Sequence, residues 1–114
     1  MNSPLIKNIQ HEEVLSLAEQ VQVLPGQVVS KTFAQNACVS ITLFAFDQNE
    51  EISVHESHGD AMVTVLEGTG VFAIGGKEYA VSQGETIIMP ANIPHAVYAK
   101  EAFKMLLVVV FKGK

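Results

Sequence analysis

From Val28 to Phe111 the chain is a succession of short runs rich in Val, Ile, Phe and Thr, and their close spacing leaves room for little but β structure. The runs are Val28–Phe33, Cys38–Phe46, Glu51–His55, Ala61–Leu66, Gly70–Ile74, Lys77–Val81, Thr86–Met89, Ala96–Ala99 and Lys104–Phe111. Turn-forming residues separate them, among them Ala34-Gln35-Asn36, Asp47-Gln48-Asn49 and Ser82-Gln83-Gly84. Gly75-Gly76 predicts a tight hairpin between VFAI and KEYAV, because both residues tolerate positive φ. Parallel βαβ units are excluded: the strands are too close in sequence for crossover helices. An all-β sandwich or barrel follows.

The best helical pattern precedes the strands. In Gln10–Val21 the apolar residues Val14, Leu15, Ala18 and Val21 recur at helical spacing, and Leu24-Pro25-Gly26 ends the segment. The expected organisation is a single domain, residues 1–25 forming an N-terminal helical segment and residues 26–114 the barrel. Several strands are apolar on both faces. In Cys38–Phe46, Ile41, Leu43 and Ala45 point one way and Phe44 and Phe46 the other, and Met105–Phe111 is apolar throughout. One side of such strands is the interior. The other needs a cover, which we expect to be a second protomer in a homodimer or, failing that, the N-terminal segment.

Charge narrows the partners. Seven lysines, twelve acidic residues and no arginine give a formal charge of −5, which argues against a nucleic acid. Without the guanidinium fork, a tightly clamped anionic ligand is disfavoured as well. The longest apolar run, Met105–Phe111, is far short of a membrane-spanning helix, and the first residues lack a signal peptide's basic start and apolar core. A lone cysteine, Cys38, fits a reducing cytoplasm and a packing role.

Candidate chemistry gathers in two segments. EISVHESHGDAMVTVLEG (Glu51–Gly68) carries His55 and His58, and GETIIMPANIPH (Gly84–His95) ends in His95. If the segments meet, His55, His58 and His95 line one site, with Asp60 available to complete a metal shell. His55 and His58 are three residues apart and cannot share one face of a regular strand, so the loop before Gly59 must turn His58 inward. Strand parity puts Val63 with Ala61 and Val97 with His95, and with Ser57 and Met89 these describe a narrow, mostly apolar pocket for a small, mostly uncharged molecule. Met62 is a further candidate for its wall, Tyr98 is expected outside, and Glu56, Glu67 or an unligated His58 would be the general base of any reaction. No nucleophile elbow or phosphate loop is present in the sequence.

These two segments resemble the motifs of the cupin superfamily, small conserved-barrel type. The second motif is matched by Gly84, Pro90 and His95, with Asn92 in place of its middle glycine and Ala99 where an asparagine would stand. In the first, His55 and Gly68 are in register and Asn49 replaces the opening glycine. Ser57 occupies the second histidine position, with His58 displaced by one, and Ala61 occupies the glutamate position. The resemblance implies a double-stranded β-helix, or jelly-roll, barrel and a divalent transition metal: iron, manganese, nickel or zinc. It further implies an oxidase, dioxygenase or isomerase acting on a small molecule, or else a non-catalytic ligand-binding or regulatory barrel without metal. A third reading makes the histidines structural, pinning the turns at one barrel end.

Overall fold

The computed structural model describes residues 3–113, so the outermost residues of the expected 1–25 and 26–114 segments lie outside the described residues. Nine strands form: β1 (Val28–Gln35), β2 (Val39–Phe46), β3 (Glu51–His55), β4 (Asp60–Glu67), β5 (Thr69–Ile74), β6 (Lys77–Ser82), β7 (Thr86–Met89), β8 (His95–Tyr98) and β9 (Phe103–Val110). Each begins and ends within two residues of the run expected for it. They make a five-stranded sheet in the order β1-β2-β9-β4-β7 and a four-stranded sheet in the order β3-β8-β5-β6. All the pairings are antiparallel. Strands distant in sequence, such as β2 and β9, lie side by side, and the sheets close face to face as a jelly-roll barrel.

Period-two alternation explains the interior. On β4 the odd residues Ala61, Val63 and Val65 are buried, and on β9 Phe103, Met105 and Val109 join them in one core with Phe46, Phe72 and Val97. Phe46 stacks on Phe103 at 4.6 Å and Phe72 meets Phe103 edge-on at 6.2 Å. Burial of each of these rings contributes up to about 3 kcal/mol. Gly70 lets Phe103 in, since a Cβ there would stand 2.6 Å from its ring. Between β5 and β6, Gly75 and Gly76 have φ of 57° and 85°, the left-handed pair expected of a two-residue hairpin.

The opposite face of the larger sheet carries a second core, with Leu43 and Ala45 of β2 packed among Val21, Phe33, Ile9, Leu17 and Val23. Cover for this side therefore comes from the N-terminal segment of the same chain, the alternative to a second protomer at this place. The segment is not the helix expected over Gln10–Val21: only Leu17–Gln20 turns, as a 3-10 helix. Asn8 and Glu12 have φ of 64° and 59°, which interrupts any helix, and no side chain caps the turn at Ser16. An isolated stretch of this length is marginal as a helix in water. Tertiary bonds outcompete it. Lys104 Nζ donates to the Ala18 carbonyl at 2.6 Å and Lys7 N to the Phe33 carbonyl at 2.7 Å, and the segment packs Ile9, Leu17, Val21 and Val23 in the second core. Val14, expected on the apolar helix face, is fully exposed.

Cys38 is exposed, against its expected packing role. The Asn36 side chain accepts from Cys38 N at 2.8 Å and Val39 N at 3.1 Å, forming a turn that leaves Cys38 outside β2.

Candidate functional site

The two motif segments meet across the β3–β8 ladder. His55 and His95 are direct antiparallel partners, so their side chains leave the sheet on the same face and their rings touch edge to face with centroids 4.2 Å apart. The ladder shifts register between Ile52 and His55, which brings His55 opposite His95. His95 is 4% exposed and follows Pro94 at the start of β8. Its Nδ1–H donates to the Ile93 carbonyl at 3.1 Å, and His55 Nδ1–H donates to the Ser53 carbonyl at 2.9 Å. Burial holds the His95 imidazole below its ordinary pKa and the neighbouring His55 adds to this, while the Ile93 bond partly opposes it.

The pair lines a cavity of about 350 Å³ between the sheets. Ile52 and Val97 come from the smaller sheet, and Ala61, Met89, Met105, Leu107 and Val109 from the larger one. Glu56, Ser57 and His58 of the β3–β4 loop stand at its polar edge. A larger groove of about 470 Å³ lies between Ser3–Asn8 and Thr32–Asn36, and among the described residues lining it Lys7 is the one with an ionisable side chain, so no catalytic grouping of them converges there.

Of the pocket residues expected from parity, Ser57, Ala61, Met89 and Val97 border this cavity, whereas Val63 is fully buried deeper in the barrel. Met62 is 42% exposed and lies on the outside of β4, opposite in parity to Ala61. The expected metal shell of His55, His58, His95 and Asp60 is not assembled: among the described residues no group of three His, Cys, Asp or Glu side chains is placed to hold an ion. His58 borders the cavity but its Nδ1–H donates to Asn92 Oδ1 at 3.2 Å. Asp60, one residue before inward-facing Ala61, points outward and accepts from Ala91 N at 2.8 Å. Glu67 pairs with Lys104 at 3.4 Å outside the cavity, after a register shift between Val65 and Glu67. Met105, Leu107, Val109 and Ile52 were not among the expected wall residues. A run apolar on both faces, as in β9, does not reveal from sequence which face is inward.

Backbone at the two motifs follows their glycine pattern. Asn92 has φ of 65° and Asn49 of 71°, so asparagine supplies the left-handed residue at both positions where glycine is replaced. Gly68 at 73° admits the Ala102 carbonyl, to which a Cβ would come within 2.5 Å.

A family model for the cupin domain matches residues 42–111, more than half of the chain. The chain is a cupin. Its solved relatives agree. A conserved protein of unknown function from Streptococcus pyogenes is 46% identical with a TM-score of 0.96, the match covering 98% of each chain. A cupin superfamily protein from Desulfitobacterium hafniense is 31% identical with a TM-score of 0.89 over 94% of this cupin and 98% of that chain. Salicylate 1,2-dioxygenase from Pseudoaminobacter salicylatoxidans, 15% identical with a TM-score of 0.68, shares the fold over 76% of this chain and 25% of its own. No curated protein sequence matches the chain. No helix among the described residues is long and apolar enough to cross a membrane.

Proposed function

We propose that this cupin is a non-catalytic, small-ligand-binding barrel in which His95 and His55 meet the ligand directly by hydrogen bonding. The observation that carries the reading is the pairing of two imidazoles, 4.2 Å apart, on the wall of a mostly apolar cavity whose remaining candidate donors are engaged elsewhere. The metal centre implied by the family does not fit this donor set. Ala61 takes the carboxylate position, Ser57 takes a histidine position, and the two imidazoles that remain are fewer donors than iron, manganese, nickel or zinc sites on proteins commonly use. The test is elemental analysis of protein purified without chelator, run beside amide-resolved NMR with neutral fragments. We expect substoichiometric metal and shifts centred on His55, Met89, His95 and Val97. Stoichiometric metal that is lost in His95→Ala would overturn this reading in favour of a metal-dependent oxidase, dioxygenase or isomerase.

Residues 26–114 then form one binding domain, with residues 1–25 as its outer cover. The free, exposed Cys38 supports a cytoplasmic setting, and the acidic, arginine-free composition supports the absence of nucleic-acid and membrane partners. We also propose a homodimer, formed through the part of the larger sheet that the N-terminal segment leaves open. There Met62 and Ile88 face each other across the β4–β7 ladder, 42% and 51% exposed.

A further inference from the structure

The backbone fixes one tautomer for each histidine of the cavity. A carbonyl oxygen only accepts, so the Ser53 and Ile93 carbonyls require a proton on Nδ1 of His55 and His95. In the neutral rings both Nε2 atoms are therefore lone-pair acceptors. No protein donor reaches His95 Nε2 among the described residues, yet no buried side-chain nitrogen or oxygen lacks a partner. On a side chain only 4% exposed, that nitrogen must open on the cavity.

The polarity of the site is therefore one-sided. Inside the polar edge of Glu56, Ser57 and His58, it offers acceptors at the paired His55 and His95 and apolar surface elsewhere, and no lysine among the described residues lines it. A carboxylate entering it would bring further lone pairs against lone pairs and give up its hydration for no cation. A neutral hydroxyl meets the opposite situation. Two thioethers, Met89 and Met105, belong to the same wall and favour an aromatic ring, to whose edge sulfur packs well.

We infer that the ligand is a neutral phenol-type molecule, its ring packed against Met89, Val97, Met105 and Leu107 and its hydroxyl donating to His95 Nε2, and that aryl carboxylates are excluded. This rests on the ligand-binding reading above. No bond is made or broken; the phenol keeps its proton in a hydrogen bond.

Three toluenes that differ in their para substituent separate the contributions: p-cresol, 4-methylanisole, which lacks the donor, and p-toluate, which carries the charge. Titrated into the intact protein at pH 8 and followed by NMR, p-cresol should bind about tenfold more tightly than 4-methylanisole, the size of one good hydrogen bond, with p-toluate weaker still. In His95→Phe the difference between p-cresol and 4-methylanisole should vanish. Equal binding of these two by the unmodified protein would overturn the donor assignment while leaving the apolar pocket intact. Binding of p-toluate as tight as that of p-cresol would overturn the exclusion of carboxylates. If none of the three shifts a cavity resonance while other neutral fragments do, the phenol class is wrong and the ligand-binding reading stands. If no fragment of any kind does, both fail.

Discussion

At the scale of single residues, Asn92 joins the backbone of the site to its chemistry. It adopts φ of 65°, its N–H donates to the Ser57 carbonyl at 2.8 Å, and its side chain holds His58. Asn92→Ala loses the side-chain bond and meets the Cβ penalty of the left-handed region, so we expect a loss of about 1–2 kcal/mol in chemical denaturation. Asn92→Gly keeps the backbone relaxed and should cost less than half of that, while both variants release His58. His95 makes stability depend on pH. Its folded-state pKa is lowered, first by burial, so on acidification the unfolded chain takes up this proton before the folded one does. The stabilisation is complete above the ordinary imidazole value of about 6.5 and is lost as pH falls through it. His55 across the ladder and Glu56 and His58 at the mouth are the other ionisable groups facing the cavity. Urea midpoints should fall between pH 7.5 and pH 5.5, more steeply in the native sequence than in His95→Gln; an equal slope in the two would remove His95 as the cause.

At the scale of elements, the strands were legible because each is a short run rich in β-forming residues, with clean period-two burial on β4, and many end at residues with a physical reason to turn, such as Gly75-Gly76 and Asn36. The N-terminal segment was not, because its apolar spacing suits a helix, whereas the fold leaves Val14 in solvent and uses Leu17 and Val21 in an irregular chain lying on the sheet. Among the contacts that hold it in place is one from a distant lysine. Lys104 is outward in parity on β9 and 8% exposed, and its ammonium reaches Ala18, eighty-six residues earlier in the chain. Its ion pair with Glu67, itself half exposed, adds little. Lys104→Met keeps the buried stem and removes the charged donor, for an expected loss of about 1.5–3 kcal/mol. The sharper readout is amide exchange: residues 16–21 should exchange faster in Lys104→Met while β5 and β8 are unchanged. The site shares this mixture of the legible and the hidden. His55 and His95 could be read from their motifs. The outward aim of Asp60 follows from Ala61 facing in, but the tether of His58 to Asn92 is a contact between loops that no local pattern encodes.

At the scale of the whole molecule, the larger sheet has two outer regions of unlike fate. Toward β2 it is sealed by Ile9, Leu17, Val21 and Val23; toward β4 and β7 it leaves Met62 and Ile88 in solvent, with Val110 of β9 at 59% exposure beyond them. Light scattering should give twice the chain mass of 12.3 kDa for the native sequence, and Ile88→Lys should return the monomer with its fold intact. A native particle at the monomer mass would remove the dimer. This division was only half legible: two-faced apolar strands announced that something must cover the sheet, but not which cover would take which part.

His55 and His95 differ in how firmly the fold holds them. β8 is hydrogen-bonded on both sides, to β3 and β5, whereas β3 is an edge strand with one partner and a register shift in that single ladder. Opening of β3 therefore breaks fewer bonds than opening of β8 and takes His55 off the cavity while His95 stays in place. The cavity thus has one jamb held on both sides and one held on a single side. Traffic in and out would pass on the His55 side without unfolding the barrel, and an occupant touching both rings would slow amide exchange in β3 far more than in β8.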